Sequence, residues 1–132
     1  MSNKLQSTIL VVDDEPEIRK LVSAMLTRHG YRVLSAATGE SAIVVFKRNP
    51  DIDLLLTDVV VTGMSGPMIA DEIAALNPAI KVLFMSGYDS TRMVMRYVAE
   101  KGHSLLIKPF TMDQLERKVQ GVLTRGESSE LS

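Results

Sequence analysis

The chain has 132 residues, 45% hydrophobic and 23% charged, with 15 Lys+Arg against 16 Asp+Glu, an arithmetic that suits one globular domain and excludes a disordered chain or a second folded domain. A formal net charge of −1 supplies no positive field for a nucleic-acid backbone, so no direct nucleic-acid partner is expected. Cysteine is absent, which excludes disulfides, zinc–thiolate centres and thiol nucleophiles and agrees with a reducing, cytoplasmic location.

Met1 to Ser7 is short and polar, without the apolar stretch of a secretory signal. The longest apolar runs fall far below the ~18 residues of a membrane span, so no membrane partner is expected for this segment. The first strand is read at residues 8–13, Thr-Ile-Leu-Val-Val-Asp. Asp14-Glu15-Pro16-Glu17 then starts a helix whose stripe of Ile18, Leu21, Val22, Met25 and Leu26 predicts one buried face, closed by Gly30. The unit repeats: a strand near Arg32–Ala36, a helix near Gly39–Lys47, and a third strand near Asp53–Thr57 that ends on Asp58. A third helix is read at Gly66–Leu76 and a fourth apolar run at Ile80–Met85, ending at Ser86. A fourth helix at about Ser90–Lys101 and a fifth strand at Ser104–Ile107, ending on Lys108, follow. A last helix spans about Met112–Arg125, with Met112, Leu115, Val119 and Val122 on one face. Residues 1–125 are the expected domain, and residues 126–132 an expected flexible polar tail.

Strands alternating with helices, and unbroken apolar strands such as Ile9–Val12, predict an α/β fold. It is a five-stranded parallel sheet, doubly wound, in the order 2-1-3-4-5. In such a sheet the site lies beyond the carboxyl ends of the strands. Those ends carry Asp13-Asp14, Asp58, Ser86 and Lys108, whereas the marginal second strand ends on Ala36-Ala37-Thr38.

Taken singly, each has a plain role: Asp14 as a helix N-cap, Ser86 as a turn hydroxyl, Lys108 as a solvated side chain. Asp58, after an apolar strand and before Val59-Val60-Val61, gains little unless something binds it. Taken together, carboxylates about 4 Å apart repel by roughly 4 kcal/mol at an effective dielectric near 20, and three of them require cations. Lys108 supplies one positive charge, and a hard divalent ion such as Mg²⁺, completing its shell with a phosphoryl oxygen, suits the rest. Asp58 is the best nucleophile candidate for an acyl phosphate, with Asp13-Asp14 holding metal and Ser86 and Lys108 reading the product.

At these residues the chain resembles the receiver domains of two-component response regulators over about residues 8–125. Val11-Val12-Asp13-Asp14-Glu15 is similar to the family's acidic pair, Thr57-Asp58 to its phosphoacceptor, Met85-Ser86-Gly87 to its switch hydroxyl, and Lys108-Pro109-Phe110 to its lysine motif. The resemblance implies a flavodoxin-like, receiver-type fold. It also implies that a histidine kinase or phosphotransfer protein donates phosphate to Asp58 with Mg²⁺. Asp13, Asp14 and Asp58, some through water, would ligate the metal together with the backbone carbonyl of Val60. The resemblance further implies a cis bond at Lys108-Pro109 and a surface that changes for a downstream partner.

The chain departs from the family at Leu105, where many receivers carry Tyr or Phe, and at Val61-Thr62, which replaces the common Met-Pro and predicts altered loop stiffness. The resemblance implies that Val60 and Tyr88 flank the attack path, where an aliphatic and an aromatic group place water poorly, predicting slow self-dephosphorylation. Stretches such as Thr57-Asp58-Val59-Val60 resemble receivers fused to hybrid histidine kinases. A free-standing receiver, a receiver within a longer protein, and a homodimer through the fourth and fifth helices all stay open. Two alternatives compete. One is a small aspartyl phosphohydrolase of haloacid-dehalogenase type, whose D-x-D after the first strand differs from the adjacent acids here. The other is a flavin module, whose phosphate Asp13-Asp14 would repel. His29 is read as a helix C-terminal residue and His103 as loop surface, neither belonging to the site.

Overall fold

The structure is a computed structural model that describes residues 6–87, 96 and 99–131. Its strands are β1 (Thr8–Val12), β2 (Arg32–Ala36), β3 (Leu54–Asp58), β4 (Val60–Val61), β5 (Met64–Ser65), β6 (Lys81–Ser86) and β7 (Ser104–Ile107). Its helices are α1 (Pro16–Arg28), α2 (Gly39–Arg48), α3 (Gly66–Leu76) and a C-terminal helix (Met112–Leu131). The main sheet is parallel in the order β2-β1-β3-β6-β7. This is the expected order once the short antiparallel β4–β5 hairpin is counted separately.

The unbroken apolar strands make two cores because successive side chains point to opposite faces. Leu10, Val12, Leu55 and Phe84 join Ala42 and Phe46 of α2 and Ile69 and Ile73 of α3. Ile9, Val11, Leu54, Leu56, Leu83 and Met85 join Val22 and Leu26 of α1 and Leu115, Val119 and Val122 of the C-terminal helix. Thr38 caps α2 through a reciprocal capping box with Ser41. Ser65 caps α3 by accepting from the Met68 N–H at 3.2 Å.

Several sequence expectations change in detail. The residue capping α1 is Glu15 rather than Asp14, and its side chain makes no capping bond. Asp13 Oδ1 accepts from the Glu15 N–H at 2.9 Å instead, forming a local turn ahead of Pro16. Leu21, placed on the buried stripe, is 53% exposed, because α1 packs chiefly through Val22 and Leu26. His103 is half-buried and meets Phe84 edge-on at 5.4 Å rather than lying on the surface. The C-terminal helix extends past Arg125. The expected fourth helix falls mostly outside the described residues, although Arg96, Ala99 and Glu100 are helical. Tyr88 lies outside them. Among the described residues, no helix is long and apolar enough to cross a membrane.

Candidate functional site

The residue that follows β1 and the residue that ends β3 meet because these strands are neighbours at the centre of the sheet. Asp13 continues the line of β1, its N–H donating to the Ala36 carbonyl at 3.2 Å, and its residue is 0% exposed. Asp58 ends β3 and is 8% exposed. Ser86 ends β6 fully buried, and its carbonyl accepts from the Lys108 N–H at 2.7 Å, which fixes the start of the loop after β7. The next peptide bond, Lys108-Pro109, is cis, as the resemblance implies.

From there the Lys108 side chain reaches back across the sheet edge. Its Nζ lies 3.0 Å from Asp13 Oδ2, donates to Asp58 Oδ2, and stands 3.7 Å from Glu15 Oε1. Burial works to lower the lysine's pKa, but its hydrogen bonds to Asp58 and Asp13, and their charges, outweigh that and hold it above the ordinary value. Lys108 is therefore a fixed cation.

Asp13, Glu15 and Asp58 each present a carboxylate oxygen, all within 4.8 Å of one another. Three carboxylates against the one ammonium leave a net charge of −2 within this group. All-oxygen, carboxylate-rich donors of this kind fit a hard divalent cation of the Mg²⁺ class.

Not every predicted residue joins the group. Asp14 stands apart from the converging carboxylates, and its Oδ2 accepts from Thr62 Oγ1 at 2.7 Å. Val60 borders the site through its N–H, which donates to Asp58 Oδ1 at 2.9 Å, and its residue is 67% exposed. The Ser86 hydroxyl donates to the Gly87 carbonyl at 3.3 Å.

Sequence reasoning missed four contributors. Glu15 enters the cluster because Pro16 opens α1 and places residue 15 at the helix mouth, a spacing that could have been read. Thr62 bonds Asp14 across 48 residues, and no local pattern marks that pairing. Gly66 lies against the acceptor strand: a Cβ there would sit 2.3 Å from the Asp58 carbonyl oxygen and 2.9 Å from Val59 Cα. Arg19 adds a brace, its Nη1 donating to the Asp13 carbonyl at 2.8 Å.

Residues 9–120 match the protein family described as response regulator receiver domain. The chain is similar to the sensor kinase CckA of Brucella abortus, 32% identical over 90% of this chain and 13% of that protein. It is also similar to the probable transcriptional regulatory protein TcrX of Mycobacterium tuberculosis, 31% identical over 89% of this chain and 50% of that protein. The chain thus spans half or less of these curated relatives. Among solved structures, a response regulator receiver domain protein from Clostridium thermocellum superposes with a TM-score of 0.81 at 27% identity, covering 92% of this chain and 97% of that one. These matches do not support the haloacid-dehalogenase alternative, whose nucleophile follows the first strand rather than the third.

Proposed function

The chain belongs to the family of response regulator receiver domains of two-component systems, and we propose that residues 1–125 form a phosphoacceptor switch centred on Asp58. It is a regulatory phosphoacceptor rather than an enzyme that turns over a separate substrate. The observation that carries this reading is the Lys108 ammonium bound by both Asp13 and Asp58, residues 95 and 50 positions away along the chain.

In the proposed reaction an Asp58 carboxylate oxygen attacks phosphorus in line. The bond from phosphorus to the imidazole nitrogen of a phosphohistidine donor breaks, the nitrogen keeps the electron pair, and an acyl phosphate remains on Asp58. Lys108 neutralises charge on the transferring oxygens, and Ser86 donates its hydroxyl to the bound phosphoryl group. Asp13, Glu15 and Asp58 would hold Mg²⁺, with Asp14 and the Val60 carbonyl as further ligands, directly or through water. When bound, the ion supplies positive charge that screens the carboxylates from the incoming anion.

The donor is a histidine kinase or phosphotransfer protein, and the output is a changed surface for a downstream protein. Leu105 of β7 packs against the α2–α3 core and has no ring to swing inward, so the switch acts chiefly through Ser86. The exposed Val60 side chain offers no polar group to orient water, which favours a slow return to the free carboxylate. The likeness to CckA supports a phosphorelay role.

Incubation with acetyl phosphate and Mg²⁺, followed by mass spectrometry, tests the proposal. Wild type is expected to gain one phosphoryl adduct and Asp58→Asn none; an unmodified wild type, or an undiminished adduct in the variant, overturns it.

A further inference from the structure

We propose that Thr62 is a positioning residue for Asp14: its hydroxyl holds the Asp14 carboxylate outside the acidic cluster and competes for it with a divalent cation. The inference rests on the reading of that cluster as a cation site. Asp13 and Glu15, on either side of Asp14, both contribute to the converging carboxylates, whereas Asp14 is absent from that group and bonded at 2.7 Å to Thr62 Oγ1. A hydroxyl donating to a carboxylate makes a charge-assisted bond, stronger than a neutral one.

The donor is also well placed to persist. Thr62 occupies the turn between β4 and β5, beside Gly63, whose φ of 86° the turn requires. The start of that hairpin is tied to the acceptor strand, and the residue after its end is tied to Val59, which links the two. The Val60 N–H donates to Asp58 Oδ1 at 2.9 Å, and the Gly66 N–H donates to the Val59 carbonyl at 2.9 Å. The Thr62 hydroxyl is therefore presented to Asp14 by backbone anchored at Asp58. Drawing the Asp14 carboxylate from its present place toward a cation in the cluster works against this bond. By linkage, removing the hydroxyl tightens cation binding, and cation binding frees the hairpin turn.

Mg²⁺ titrated calorimetrically into wild type, Thr62→Val, Thr62→Ser, Asp14→Asn and the Asp14→Asn/Thr62→Val double variant tests this. Thr62 is exposed, so its variants are expected to fold. Thr62→Val should bind Mg²⁺ about fivefold more tightly, the scale of one ordinary hydrogen bond, since water at this exposed position discounts the charge assistance. Thr62→Ser should keep the wild-type Kd, and the gain should vanish in the Asp14→Asn background. Unchanged or weaker binding by Thr62→Val, or an equal gain without Asp14, overturns the proposal while leaving the cation site standing. A wild type that binds no Mg²⁺ overturns both.

Discussion

The interior of the sheet and the two aspartates at its carboxyl edge are both buried but made of opposite materials. Along β1 and β3 the side chains of Ile9 to Val12 and Leu54 to Leu56 are fully enclosed by apolar neighbours. Each such burial is favourable by roughly 1.5–3 kcal/mol. At the ends of the same two strands stand Asp13, as deeply covered as the leucines, and Asp58, buried with 8% of its surface exposed. Burying a carboxylate is unfavourable unless it is paired and hydrogen-bonded, so the edge persists because the interior holds it and Lys108 compensates it. Stability is concentrated in one zone and chemistry in the next, a residue or two away.

Breaking the interior should give the largest stability effect. Leu54→Ala removes a fully buried side chain from the α1-side core and is expected to cost about 3 kcal/mol. Urea unfolding measures the loss, and the rate of adduct formation per folded molecule should stay near wild type. Breaking the edge should affect both properties. Lys108→Ala leaves Asp13 and Asp58 facing each other without their shared cation. Because the lysine side chain is 17% exposed, the expected loss is about 2 kcal/mol, below the range for a fully buried pair. Adduct formation from acetyl phosphate should fall about 10²-fold, as when one charge-stabilising donor is removed. If Lys108→Ala lost stability alone, the contrast between the two zones would collapse.

The smallest effect concerns His103, at the amino end of β7. Burial pushes its pKa below the ordinary value, opposed by the charge of Asp71 and assisted by that of Lys101. With the folded value depressed, the unfolded chain binds the proton first as pH falls. Stability is therefore retained above about pH 6.5 and declines as the pH drops from there toward the lower folded value. Unfolding curves at pH 7.5 and 5.5 should show a smaller difference for His103→Asn than for wild type.

What the sequence made legible follows from the length scale of each signal. Strand ends were readable because a polar residue terminating an apolar run stands out, and parallel topology then gathers Asp13, Asp58, Ser86 and Lys108 at one edge. The β4–β5 hairpin was not, since two-residue strands carry no period. Leu21 fits the helical stripe as well as Val22 does, and only the angle at which α1 meets the sheet separates them. The N-cap of α1 was misplaced by one residue because adjacent acids, Asp14 and Glu15, satisfy the same rule. The Thr62–Asp14 bond depends on two loops meeting, which no local pattern encodes.

Gly66 carries a mechanical implication. With no room for even a methyl group between its Cα and the carbonyl of Asp58, the first turn of α3 and the acceptor strand press backbone against backbone. Neither can slide without dragging the other. A protein gripping the start of α3 would hold the acceptor by a stiff handle, and an enlarged residue at this one position would shift both together.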